Sequence, residues 1–236
     1  MKRDVFAVSK LFAVVTCCVM LLSSCSRSGS PDTTVSSESP SASASQTGAR
    51  LASSLKAYAQ SILDADKQSQ KMGDEQRNVV EKAAKGDGTV SRADYEQAWA
   101  NYKQCIVSRG WASPNLREAD GLYAEPPINA ENMTEAQTTK LSQDTDYCAT
   151  TYVVDVDQLY RTQVANPTLS TANVQLIVKC LVASGVVSSD YTTEEFQKDS
   201  SSLDFSDSKV QSCLIKYGYH AVDASKEKDS LWKPMG

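Results

Sequence analysis

Apolar residues fall at helical intervals along most of the chain after residue 50. Leu51, Leu55, Tyr58 and Ile62 recur every three to four positions, and Val79, Val80 and Ala83 mark a shorter segment that Asp74 can cap. In the run from Gly86 to Trp111, Ser91 reads as an N-cap with Asp94 three residues on. Tyr95, Ala98, Trp99, Tyr102 and Ile106 then form one apolar stripe before Gly110. Residues 112–133 hold Pro114, Gly121, Pro126 and Pro127, which predict a long loop or a short hairpin around Leu122 and Tyr123. Thr134 with Gln137 restarts a helix, and Leu141, Cys148, Tyr152, Val156, Leu159 and Tyr160 carry its period to Asn166-Pro167, with a break expected near Asp144. Ser170 caps the next segment, through Val174, Ile177 and Leu181 to Gly185. Thr192 with Glu195 opens a short helix around Phe196, and a last one runs from about Ser206 to Tyr217. The tail from His220 to Gly236 reads as loosely packed, with Leu231 and Trp232 able to dock on the core. The expected fold class is all-α: a small helical domain of six to seven helices.

One short pattern recurs three times. Cys105-Ile106-Val107-Ser108-Arg109-Gly110-Trp111, Cys180-Leu181-Val182-Ala183-Ser184-Gly185-Val186 and Cys213-Leu214-Ile215-Lys216-Tyr217-Gly218-Tyr219 share a cysteine, an aliphatic residue, a glycine five after the cysteine and a large apolar residue after the glycine. A glycine just past a helix end can take the left-handed conformation that closes a Schellman cap, and the apolar residue beyond it folds back on the last turn. The pattern therefore predicts helix C-caps at Gly110, Gly185 and Gly218, matched by an N-cap at Ser91.

The first 48 residues do not fit this scheme. Lys2, Arg3 and Lys10 form a basic start, and Leu11 to Leu22 is an uncharged apolar stretch of signal-peptide length, too short for a bilayer that needs ~20 apolar residues. Leu22-Ser23-Ser24-Cys25 resembles a lipobox, so residues 1–24 are expected to be a lipoprotein signal peptide, with Cys25 the site of lipidation. Acyl chains on that cysteine would each contribute ~0.8 kcal/mol per buried CH₂, which holds a protein to a membrane without a transmembrane helix. Residues 26–48 are Ser, Thr, Ala, Gly and Pro-rich with Val35 as the one sizeable apolar side chain, a composition that stays disordered. Residues 25–48 thus read as a lipidated tether reaching roughly 25 Å, and residues 49–236 as the folded extracytoplasmic domain.

Charge and cysteine usage narrow the function. The 236-residue chain carries a formal charge of −5, and residues 1–48 hold four basic and three acidic side chains, which leaves the domain at −6. An acidic surface without a Lys/Arg cluster argues against a nucleic-acid partner. Of seven cysteines, Cys105, Cys148, Cys180 and Cys213 lie in the domain, an even number suited to two disulfides in an oxidising compartment. Three connectivities are possible. Cys105–Cys148 with Cys180–Cys213 is preferred, because each bond joins helices near in sequence and gives two stapled units. No C-x-x-C occurs, and the single histidine, His220, stands apart from the cysteines, so neither a redox nor a zinc site is expected.

The Gly86–Asp94 run imitates half of an EF-hand loop, with Asp87 and Asp94 in ligand positions, but Ala83 and Lys85 stand where two further oxygen ligands belong. No metal and no cofactor is expected. Ser53-x-x-Lys56 and Ser206-x-x-Lys209 match S-x-x-K without the companion motifs of that chemistry, and no G-x-S-x-G occurs. Asp144, Asp146, Asp155, Asp157, Glu194 and Glu195 are carboxylates available for acid-base work, though on an acidic domain such residues usually form a solvated face. No catalytic residue is assigned.

The run Gly86 to Glu96, followed by a helix ending in Cys-aliphatic-x-x-x-Gly-aromatic, resembles a diffuse group of actinobacterial, Bifidobacterium-like, cysteine-paired secreted lipoproteins. The likeness covers about residues 74–218 and supplies location and architecture, not catalytic residues. The expected protein is a lipid-anchored module on the outer face of the cell membrane, non-catalytic, binding or structural. Its partners would be the lipid bilayer through acylated Cys25 and an envelope protein or peptide. The alternatives are an accessory lipoprotein of a membrane transporter or a carboxylate-dependent cell-wall enzyme.

Overall fold

A computed structural model describes residues 49–219 and 231–236. The signal peptide, Cys25, the tether and His220, all expected from the sequence, lie outside the described residues. Eight α-helices and one hairpin follow in order: α1 Leu55–Ser69, α2 Asp74–Lys85, α3 Arg92–Ser108, β1 Arg117–Ala119, β2 Leu122–Ala124, α4 Glu135–Tyr152, α5 Val154–Ala165, α6 Asn173–Ala183, α7 Thr193–Asp199 and α8 Ser208–Lys216. The all-helical class is as the periodicity predicts. The strands pair antiparallel, Glu118 facing Tyr123.

Helix starts follow local chemistry. Ser91 Oγ accepts from Asp94 N at 3.1 Å, and Thr134 and Thr192 form full capping boxes with Gln137 and Glu195. Three starts differ from expectation. Gly73, not Asp74, is the N-cap of α2; Ala172, not Ser170, precedes α6, with Ser170 Oγ accepting from the Ala172 amide in a tight turn. Leu51 lies before α1, where the chain at Ala49–Leu51 pairs with Leu169–Thr171: Leu51 N donates to Leu169 O and Thr171 N to Ala49 O.

The long helical period from 135 to 165 is interrupted at Val153 (φ −138°), not near Asp144. The reason lies on another helix. Gln76 of α2, 1% exposed, inserts into the break: its Nε2 donates to Thr150 O at 2.9 Å, and its Oε1 accepts from Asp155 N at 2.8 Å. One amide side chain thus satisfies the end of α4 and the start of α5. The extra helix beyond the expected six to seven comes from this break.

All three cysteine patterns end in Schellman caps. Gly110, Gly185 and Gly218 sit at φ +91°, +68° and +69°. Trp111 N donates to Ile106 O, Val186 N to Leu181 O and Tyr219 N to Leu214 O, closing the wider ring of the cap in each case. The aliphatic residue after each cysteine is the one the cap folds onto, and Ile106, Leu181 and Leu214 are fully buried.

Two apolar clusters result. The larger is built by α1 to α5 with Leu122, Ala124, Trp232 and Ile215 of α8; the smaller by α6, α7 and the rest of α8 around Leu181, Phe196, Val210 and Leu214. Each has its own staple, Cys105–Cys148 with Cα atoms 5.7 Å apart and Cys180–Cys213 at 5.6 Å. Arg161 of α5 ties the two together. Its guanidinium donates to Tyr123 O at 2.7 Å, to Asp157 and to Ile215 O on α8. Trp232 docks as the sequence allows, its Nε1 donating to Ala112 O at 3.1 Å and its amide to Pro127 O.

Candidate functional site

The carboxylates singled out in the sequence are mostly held in structural networks. Asp144 is buried: Oδ1 accepts from Arg109 Nη1 at 2.8 Å, Oδ2 from Trp111 Nε1 at 2.8 Å and from Lys140. Burial pushes its pKa up, but the hydrogen bonds from Lys140, Trp111 and Arg109 outweigh that and hold it at about 2. Asp157 accepts from Arg161 and from the Tyr95 hydroxyl. Glu195 closes a capping box, Glu194 accepts from Thr193, and Asp146 is exposed. The four disulfide cysteines are scaffolding.

The imitation EF-hand loop folds as a capped turn. Asp87 Oδ1 accepts from the Thr89 amide and hydroxyl, while Asp94 Oδ2 accepts from Ser91 Oγ at 2.7 Å and Lys82 Nζ at 3.0 Å. Asp87 faces its own turn, and Asp94 is shared between Ser91 and Lys82 of α2. The S-x-x-K pairs are likewise engaged elsewhere: Ser206 Oγ donates to Asp204, Lys209 Nζ to Ser184 O, and Lys56 Nζ to Lys85 O.

Asp155 is different. It stands in the first turn of α5, half-buried, and among the described residues its carboxylate has neither an ion pair nor a hydrogen bond. Burial, and then the neighbouring charge of Asp66, push its pKa up to about 6 against the opposing pull of Arg77. It opens on a cleft of about 330 Å³ between α1 and α5, with Tyr58, Ile62, Asp66, Ser69 and Gln158 also on its walls. The placement follows from the Val153 break, because the Gln76 side chain that caps α5 there fixes the first turn against α1 and α2.

Asp66, 5% exposed, is the fixed charge of this cleft. Its Oδ1 accepts from Met72 N at 2.9 Å, Lys71 N at 3.1 Å and Ser69 Oγ at 3.2 Å, and Arg77 lies 2.5 Å from Oδ2. Burial raises its pKa, and the Met72 amide with Arg77 and Ser69 more than reverses this, so it stays ionised. Tyr58 is 6% exposed, and its hydroxyl lies beside Thr162 and Gln158 without a hydrogen bond of normal geometry. Burial pushes the Tyr58 pKa up. Asp155 was one of six candidates in the sequence; Asp66, Tyr58 and the cleft itself carried no sequence signal, since α1 and α5 meet only through the fold.

A second hollow, about 260 Å³, lies beside Gly185 and the start of α8. Its polar groups are occupied, Asp207 capping α8 and Lys209 holding Ser184 O. Among the described residues no three His, Cys, Asp or Glu side chains converge as metal ligands, and no helix is long and apolar enough to cross a membrane.

Fold and site together define an all-helical, twice-stapled domain with an acid-lined cleft between two helices. No family model, no curated protein and no solved structure matches the chain.

Proposed function

We propose that this chain is an extracytoplasmic lipoprotein, acylated at Cys25 on the outer face of the cell membrane, and that its folded domain is a non-catalytic binding module. The observation that carries the reading is the pairing of all four cysteines of residues 49–236 into two disulfides, the cysteine usage of an exported chain. The basic start, short apolar stretch and lipobox-like Leu22–Cys25 then supply the route to the membrane.

Binding is favoured over catalysis by the state of the carboxylates. Asp144 and Asp66 are held ionised by cations and hydrogen bonds, and Asp157 is engaged by Arg161 and the Tyr95 hydroxyl, which suits structure and not proton transfer. Asp155 alone of the six sequence candidates is both half-buried and unpaired, and it faces a cleft sized for a small group. Detergent phase partitioning tests the anchor: wild type enters the detergent phase, while Cys25→Ala remains in the aqueous phase or stays unprocessed. Equal partitioning of the two would refute the assignment.

A further inference from the structure

We infer that the cleft between α1 and α5 binds an organic ammonium group, with Asp155 as its counter-charge and the Tyr58 hydroxyl as a second, neutral acceptor. The inference deepens the binding-module reading by naming the class of ligand.

Three observations converge on it. Among the described residues Asp155 is a half-buried carboxylate without a partner, and such a group is normally paired with a cation. Tyr58, more than nine-tenths buried, is a wall residue of the same cleft, and its buried hydroxyl makes no hydrogen bond of normal geometry among the described residues. Asp66 adds a second negative charge, which Arg77 neutralises at Oδ2, so among the described residues the cleft as a whole is left one cation short.

The donor set decides which cation. A divalent metal takes six or more oxygen ligands, several of them carboxylates. Here one carboxylate is free, the other is spent on Arg77 and two backbone amides, and the rest of the wall is Tyr, Ser and Gln beside apolar Ile62 and Ala65. A primary ammonium fits better: it brings one charge, three donors and an alkyl stem for the apolar wall. Two sources share this chemistry, a lysine-type side chain on a peptide and an amino sugar.

Binding is linked to protons. The charged and titratable groups facing Asp155 are Asp66 of α1, Arg77 of α2 and Tyr58 of α1; across the range from pH 4.5 to 7.5, Asp155 is the one that changes state, around its midpoint of about 6. An ammonium that needs the carboxylate ionised must therefore release protons when it binds near pH 6, and at pH 4.5 its affinity falls roughly thirty-fold.

The test is calorimetric titration of the full-length chain in detergent micelles with n-butylammonium chloride, against equal sodium chloride. The expected result is saturable binding at pH 7.5 and the thirty-fold weakening at pH 4.5. Near pH 6 the heat should also vary with the ionisation enthalpy of the buffer. Asp155→Asn should abolish binding, and Tyr58→Phe, which keeps the packed ring, should weaken it several-fold. Nα-acetyl-lysine amide and glucosamine then separate the sources, the tighter naming the natural one. No saturable heat at pH 7.5, or binding unchanged in a folded Asp155→Asn variant, would overturn the inference. A failed titration alongside a detergent-partitioning wild type would leave the anchored module standing and remove only its ligand.

Discussion

Trp111 Nε1 donates to Asp144 Oδ2 at 2.8 Å, and this bond locks the cap of α3 to the middle of α4. Trp111 is the residue that folds back over the Schellman turn at Gly110, and Lys140 stands 4.8 Å above its ring while also reaching Asp144 and Arg109 O. The disulfide Cys105–Cys148 joins the same two helices. Covalent bond, cap and ion network therefore hold one junction.

Asp144→Ala should cost about 3 kcal/mol, because it strands the Trp111 N–H and two cations around a buried site. Trp111→Phe removes one donor and should cost about 1–2 kcal/mol in urea unfolding. The pH dependence has a definite sign. A carboxyl lowered to about 2 when folded adds stability above its unfolded pKa near 4 and loses it as pH falls through 2. A wild-type and an Asp144→Asn stability curve should thus differ most above pH 4 and converge by about pH 2.

Asp155 has the opposite sign. Its raised pKa of about 6 means the folded state gains stability as pH falls from 6 to 4, with the charged form disfavoured at neutrality. Asp155→Asn should raise unfolding stability at pH 7.5 by about 1–2 kcal/mol, after allowance for partial solvent screening, and should flatten the profile between pH 4 and 6. An unchanged profile would place the titrating group elsewhere.

The glycines separate two physical costs. A Cβ at Gly110 or Gly185 meets nothing within 4 Å, so Gly→Ala there should cost only the left-handed backbone penalty of about 1 kcal/mol. At Gly88 (φ +96°) a Cβ would fall 2.2 Å from Lys56 N, which neither backbone can relieve locally. Gly88→Ala should therefore lower the melting temperature several times more than Gly110→Ala, as calorimetry can measure.

Local signals explain which parts of this fold were legible. Ser91, Thr134, Thr192 and the three capping glycines each announce a helix end within four or five residues, and the structure places ends there. The helix breaks at Val153 and not near Asp144, where the sequence alone puts it, because the cause, Gln76, lies 74 residues from Thr150 and has no local pattern. Asp144 breaks helices only weakly by propensity, and here Arg109, Lys140 and an indole hold it inside one. The cleft was hidden for the same reason: α1 and α5 are separated by three helices and a hairpin, and only packing brings Tyr58 and Asp155 to one wall.

The two staples should differ in consequence despite similar loop lengths. Sequence separations of 43 and 33 give each bond about 4 kcal/mol in the chain-entropy view. The Cys180–Cys213 cluster is the smaller and has one partly exposed sulfur residue, Cys180. Limited reduction followed by hydrogen exchange should therefore show α6, α7 and α8 losing protection before α3 and α4. Simultaneous loss in both clusters would mean that Arg161 and the hairpin couple them into one cooperative unit.

Mass spectrometry of the N-terminal peptide of the mature protein, taken from membranes, tests the central claim most directly. The account predicts a chain that begins at Cys25 and carries the mass of a thioether-linked diacylglycerol. A mature chain that retains residues 1–24, begins at another residue, or begins at an unmodified Cys25 would contradict it.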